Sequence, residues 1–347
     1  MKAYQLVAWG QPPELRDVPV PEPGPGEVLI KMGGAGACHT DLHLMDRPQH
    51  VDPLERPPFT LGHENAGWVA GLGAGVTEWR PGDPVAVYGA WGCGHCTECR
   101  QGCEMRCENA AEVGSWGGGL GRDGGMAEYM LVPSARLLLP LGDLDPRDAA
   151  PLTDAALTPY HAVKSGLPLL TSGTWVLVIG VGGLGHVAVQ LLRVLSPAQV
   201  IALDVDESKL ELARHVGADA TVLAGESAAA EVRELTGGLG AMLVLDCVGS
   251  AQTMAMAAAA ARVGGAVQII GLAGGTLPLS AGSLPFDCSL TMPYWGSTGE
   301  LFEVLELARS GRIRVHTERF ALEDVEVAFA RLRAGTLHGR AIITPQG

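Results

Sequence analysis

The stretch from Trp175 to Leu195 leaves this chain little conformational freedom. Trp175-Val176-Leu177-Val178-Ile179 is an unbroken β-rich run that passes straight into Gly180-Val181-Gly182-Gly183-Leu184-Gly185, and a helical pattern follows over 184–195. No charged residue falls between Lys164 and Arg193, so the segment is apolar enough to pass for a membrane span. Its punctuation argues otherwise. Gly166, Pro168 and Gly173 precede it, and Gly180, Gly182, Gly183 and Gly185 sit inside it. A buried strand, a tight turn and a helix explain the same residues, and no membrane association is expected.

The alternation continues downstream. β-rich runs at 175–179, 200–203, 220–223, 242–245 and 266–270 are separated by helical patterns at 184–195, 207–216, 227–235 and 253–262. Elements of those lengths, taken in turn, make βαβ units and a doubly wound parallel sheet, and the run 289–294 offers a sixth strand. Before residue 155 the texture differs: short apolar runs are broken by Pro and Gly, as in 18–30 with its four prolines and in Asp83-Pro84-Val85-Ala86-Val87. That texture reads as small β-strands joined by turns. The tail offers amphipathic helices at 300–309 and 322–332 and a strand at 341–344. Glycine, 48 of 347 residues, is about twice its average share of ~7%, which suits tight turns and close backbone approaches better than a helical bundle.

The glycine turn reads as a dinucleotide site because of its context. It follows a strand and opens a helix, and Asp204 stands nineteen residues after Gly185 at the end of the next strand. Gly180 permits the turn, Gly182 lets backbone reach a pyrophosphate, and Gly185 lets helix and strand pack closely. The helix N-terminus adds free N–H groups and a positive dipole end. A βαβ unit without a ligand is the plainer alternative. The Asp204 carboxylate suits the adenine-ribose hydroxyls of NAD. Facing the phosphate of NADP, it would cost about 4 kcal/mol for unit charges 4 Å apart at an effective dielectric of 20. The next residues, Val205, Asp206 and Glu207, supply no arginine to offset that cost, so NAD is favoured.

Of eight cysteines, five lie within 93–107. The long chain begins without a hydrophobic signal core, which points to a reducing cytoplasm where clustered thiols hold metal. Cys93, Cys96, Cys99 and Cys107 present four thiolates from one loop, the donor set of a closed, structural zinc site. Cys103 is an alternative donor inside the loop. A zinc ribbon for nucleic acid is a poor reading, because Glu98, Glu104 and Glu108 offset Arg100 and Arg106 and the chain carries −14.

Gly62-His63-Glu64-Asn65-Ala66-Gly67, continuing to Gly73 and Val76, resembles the signature of zinc-containing alcohol dehydrogenases of the medium-chain dehydrogenase/reductase superfamily. The resemblance extends to Gly36-Ala37-Cys38-His39-Thr40-Asp41, the cysteine loop and the glycine turn, in the family's order. It is nearest to bacterial secondary alcohol dehydrogenases with an aspartate on the catalytic zinc. It implies that zinc is held by Cys38, His63 and Asp154, with Glu64 behind the metal and Asp41 orienting His63. Singly, each ligand has a plain structural reading: a small core cysteine, a satisfied core histidine, a helix N-cap. Many relatives carry cysteine where this chain has Asp154, and aspartate makes a harder, less tightly holding site.

The resemblance further implies a proton relay through Thr40 and His43. It places His39 and Arg340 near the pyrophosphate and Lys209 near the adenine ribose. Trp295 and Trp91 are candidate walls of a substrate pocket, or plain packing. The expected architecture is α/β. A GroES-like β-rich catalytic domain spans 1–155 and is completed by 299–347, and a Rossmann NAD-binding domain spans 156–298. The expected function is NAD-dependent, two-zinc alcohol dehydrogenation of secondary, medium-sized or aryl alcohols by a cytoplasmic homotetramer. A polyol dehydrogenase, a zinc-free quinone or enoyl reductase, and a non-catalytic zinc-binding interaction protein are the rivals.

Overall fold

The computed structural model describes residues 1–47 and 56–346. Residues 48–55, within the expected 1–155 domain, and Gly347, the end of the expected 299–347 segment, lie outside them. The chain divides into two compact units. One comprises Met1–Leu157, Trp295–Gly311 and Val315–Gly347; the other comprises Thr158–Tyr294 and Arg312–Arg314.

The second unit is built on a six-stranded parallel sheet. Its strands run in the order Ala220–Leu223, Gln199–Asp204, Trp175–Ile179, Ala241–Asp246, Ala261–Ile269 and Ser289–Thr291. Strand order reverses between Trp175–Ile179 and Ala241–Asp246, which pair directly. The strands read as continuous apolar runs because helices cover both faces of such a sheet; Leu177, Ile201, Val244 and Val267 are fully buried in its core. The helix expected at 253–262 occupies Ala251–Ala260. Ser250 and Thr253 form a reciprocal capping box that starts it earlier, and Ala261 leads directly into the next strand. The sixth strand is the short Ser289–Thr291. No helix among the described residues is long and apolar enough to cross a membrane.

The first unit is β-rich. Its seven-stranded sheet runs Leu138–Pro140, Pro84–Val87, Glu64–Leu72, Val28–Ala37, Arg340–Thr344, Thr317–Ala321, and Tyr129–Val132 also pairs with Val28–Ala37. Three of these strands converge at one end. Val28–Ala37 stops just before Cys38, Glu64–Leu72 starts just after His63, and Arg340–Thr344 opens on Arg340. Their antiparallel register sets Gly36 opposite Glu64 and Ala37 opposite Ala341. Residues more than three hundred positions apart in sequence are thereby placed side by side.

Candidate functional site

Ligand atoms of Cys38, His63, Glu64 and Asp154 all lie within 4.8 Å of one another. Cys38 is the N-cap of the helix His39–Met45, and its backbone N–H donates to Asp41 Oδ2 at 2.9 Å. The other oxygen of Asp41 faces His63 Nδ1 at 3.2 Å. An Nδ1–H donated to Asp41 leaves the Nε2 lone pair aimed at the cluster, where it lies 3.7 Å from Asp154 Oδ2. Asp154 Oδ2 is 4.0 Å from Cys38 Sγ. It follows the 3-10 turn Ala150–Thr153, whose Thr153 hydroxyl accepts the Asn65 N–H and so ties that turn to the strand carrying Glu64.

The cluster favours anionic donors. Burial opposes ionisation of Asp154, yet His63 and Arg340 hold its carboxyl well below the usual carboxylate range. Burial would raise the Cys38 thiol, but Arg340 and His63 bring it below its ordinary value. Burial disfavours charge on His63, and Asp41, Asp154 and Cys38 outweigh it, raising the imidazole well above its usual value. A thiol, an imidazole whose second nitrogen faces Asp41, and a carboxylate form a donor set that fits a divalent zinc-like ion.

Arg340 is 3% exposed, and its guanidinium meets the Glu64 carboxylate through two hydrogen bonds, with Nε 3.0 Å from Oε2. Its Nη2 also lies 3.7 Å from Asp154 Oδ2. A Cβ on Gly36 would run into the Glu64 carboxylate, so glycine there is what makes room for it. Thr40 Oγ1 is 3.6 Å from Cys38 Sγ. His43 lies one helical turn further on and is half-buried; burial and Arg47 lower its pKa below the ordinary imidazole value. His39 is exposed at the start of the same helix.

Trp295 is buried, with its Nε1 donating to the Thr153 carbonyl at 2.9 Å and its ring edge-on to His63 at 5.9 Å between centroids. Its backbone adopts φ 55°, a left-handed conformation rare for a bulky residue. Trp91 is buried across Gly118, its Nε1 donating to the Tyr88 carbonyl at 2.9 Å.

In the cysteine loop the metal-type cluster consists of Cys93, Cys96, Cys99 and Cys107; Cys103 is not part of it. A tetrahedral ion with ~2.3 Å bonds holds sulfurs roughly 3.8 Å apart, and Cys93 Sγ lies 3.9 Å from Cys99 Sγ. Backbone N–H groups of Cys96 and Cys99 point at Cys93 Sγ and Cys96 Sγ, and those of Cys93 and Asn109 point at Cys107 Sγ, at 3.3–3.5 Å. Amide donors favour the thiolate form of these sulfurs, although burial and the neighbouring Cys93 thiol still hold Cys107 above its ordinary value. Burial resists ionisation of Cys93, but the amides of His95 and Cys96 bring its thiol down to about 6. The set fits a closed four-thiolate site.

In the second unit, Gly180 has φ 84°, and a Cβ there would strike Val248. A Cβ on Gly185 would strike the Gly180 carbonyl, whereas one on Gly182 would meet nothing within 4 Å. The turn over Gly182, Gly183 and Leu184 therefore presents open backbone before the helix Gly185–Leu195. Asp204 Oδ2 accepts the Val181 N–H at 2.7 Å and Oδ1 that of Asp206 at 3.1 Å. Each oxygen keeps a further lone pair for a ligand hydroxyl. Lys209 lies in the first turn of the helix Glu207–His215, half-buried. The open glycine backbone and adjacent carboxylate fit a dinucleotide.

Two features were not legible in the sequence. One is the inward commitment of Arg340 to Glu64 and Asp154; the other is the Thr153 turn that holds Asp154. Neither has a local motif, and only Gly36, a glycine inside a strand, marks where the Glu64 carboxylate needs space.

Residues 24–143 match the family described as alcohol dehydrogenase GroES-like domain, and residues 183–310 the family described as zinc-binding dehydrogenase. The chain is 34% identical over 348 residues to the D-arabinose 1-dehydrogenase (NADP(+)) of Saccharolobus solfataricus, covering 99% of this chain and 97% of that one. It is also 34% identical over 357 residues to an NAD-dependent alcohol dehydrogenase of Sulfurisphaera tokodaii, covering 99% and 100%. The solved structure of the alcohol dehydrogenase from the archaeon Aeropyrum pernix superimposes with a TM-score of 0.92 at 38% identity, covering 99% of this chain and 100% of that one.

Proposed function

The chain belongs to the zinc-type alcohol dehydrogenase family, and on that premise we propose that it oxidises secondary, medium-sized or aryl alcohols reversibly to ketones with NAD. The observation that carries this reading is the buried convergence of Cys38, His63 and Asp154, with Asp41 behind His63. Zinc held by those three would act as a Lewis acid on the substrate oxygen and lower its proton affinity.

The remaining tasks fall to the chain itself. Asp41 keeps His63 Nε2 directed at the cluster. Arg340 offsets the negative charge that Cys38, Glu64 and Asp154 bring into a dry site. The Thr40 hydroxyl accepts the alcohol proton as it gives up its own, which would pass by way of the nicotinamide ribose to the His43 imidazole. The glycine turn binds the pyrophosphate with backbone N–H groups, helped by His39; Arg340, expected beside it, is instead turned inward to Glu64 and Asp154. Asp204 and Lys209 hold the adenosine ribose, and Trp295 and Trp91 bound the substrate pocket. Cys93, Cys96, Cys99 and Cys107 hold a second, structural zinc.

A homotetramer follows from the family resemblance; the open edge of Ser289–Thr291, flanked by Phe286 at 86% and Met292 at 65% exposure, supports one pairing between copies within it. A reducing, cytoplasmic setting is supported by the four-cysteine set, whose sulfurs hold an ion only while reduced.

The D-arabinose relative motivates a second reading, a polyol or sugar dehydrogenase. Turnover of 2-butanol, 1-phenylethanol, ethanol, sorbitol and D-arabinose with NAD and with NADP separates the two. The proposal expects 2-butanol and 1-phenylethanol with NAD to be fastest. Faster turnover of sorbitol or D-arabinose, or activity with NADP alone, would overturn it.

A further inference from the structure

Arg136 lies twenty-nine residues beyond the last cysteine of the loop, in the 3-10 turn Ala135–Leu137 that leads into the sheet strand Leu138–Pro140. Its guanidinium nevertheless reaches into the loop. One nitrogen pairs with Glu104 Oε1, and the other donates to the Gly92 carbonyl at 2.8 Å. Glu104 is buried, and its second oxygen accepts the Gly92 N–H at 2.7 Å. Gly92 and Gly94 flank Cys93, and Glu104 lies between Cys99 and Cys107.

The fit is close. A Cβ on Gly94, whose φ is 78°, would stand 2.8 Å from Arg136 Nε, and one on Gly92 would stand 2.5 Å from Cys99 Sγ.

We propose that Arg136, fixed by Glu104, is the positioning residue of the four-cysteine metal site. It ties Gly92, next to Cys93, to the sheet and, with Glu104, holds the cysteine loop in its ligating form. The inference rests on the reading of that loop as a zinc site. A residue at 136 without the guanidinium fork releases Gly92 and leaves Glu104 buried without its partner, so the metal is released faster while the Cys38 site is untouched.

The test compares wild type with Arg136→Gln, Arg136→Lys and Glu104→Gln as full-length holoproteins. Zinc transfer to a coloured chelator is timed, and thiolate-to-metal charge-transfer absorption is recorded after cobalt exchange. The expected result is zinc release from one site roughly 10–100-fold faster in Arg136→Gln and Glu104→Gln. Arg136→Lys, which keeps the charge and loses the fork, should lie between, with release from the other site and NADH affinity unchanged. Should Arg136→Gln fail to fold, Glu104→Gln carries the same expectation. Release at the wild-type rate in both neutral variants overturns the proposal. Absence of thiolate charge-transfer absorption in wild type overturns the underlying zinc reading and the proposal with it.

Discussion

The Arg340 guanidinium lies against the Glu64 carboxylate, with Nε 3.0 Å from Oε2, and both side chains are almost fully buried. Removing one partner leaves an uncompensated charge in a dry site. Arg340→Met should therefore destabilise the fold by about 3–5 kcal/mol in denaturant unfolding. The double variant Glu64→Gln/Arg340→Met should recover much of that loss. A single variant as stable as wild type would remove the pair from the account.

Gly36 makes room for the same carboxylate. Gly36→Ala places a methyl where Glu64 sits, so the side chain or the strand pairing must shift. Overpacking of this kind costs about 1–3 kcal/mol. Both the midpoint of thermal unfolding and metal retention at the Cys38 site should fall. Full retention of both would mean that the Glu64 carboxylate moves away freely.

His43 sets a pH expectation. Burial, reinforced by Arg47, lowers its pKa below the ordinary 6.5, and only the neutral imidazole accepts a proton. Alcohol oxidation should thus persist as pH falls to 6.5 and decline only below it, as His43 becomes protonated. In His43→Asn, kcat should drop roughly 10²-fold and this acid limb should vanish from the profile. The same limb in the variant would assign the titration to another group.

How much of this was legible depended on how local the signal is. The strand Trp175–Ile179, its glycine turn and the helix after it depend on neighbours in sequence, and periodicity finds them to within a residue. The alanine-rich helix ended earlier than its composition suggests, because Ala261 joins a strand that the sheet recruits. Thr317–Ala321 pairs parallel with Arg340–Thr344, but its sequence, Thr-Glu-Arg-Phe-Ala, carries no apolar run. In the candidate site, the Cys93–Cys107 loop announces itself by spacing. Cys38, His63 and Asp154 do not, because two separate strands and a 3-10 turn bring them together. Only resemblance to a family pointed to that trio, and Arg340 faces inward for reasons no linear motif encodes.

The central claim is that a metal at Cys38, His63 and Asp154 drives NAD-linked alcohol oxidation. Its most direct test is metal counting, NADH affinity and 1-phenylethanol oxidation, measured together on wild type and Cys38→Ala. Wild type should hold two zinc ions per chain, one for each cluster, and reduce NAD. Cys38→Ala should hold one zinc, bind NADH normally and lose turnover. A variant that keeps its turnover, or an active wild type with one zinc per chain, would contradict the account.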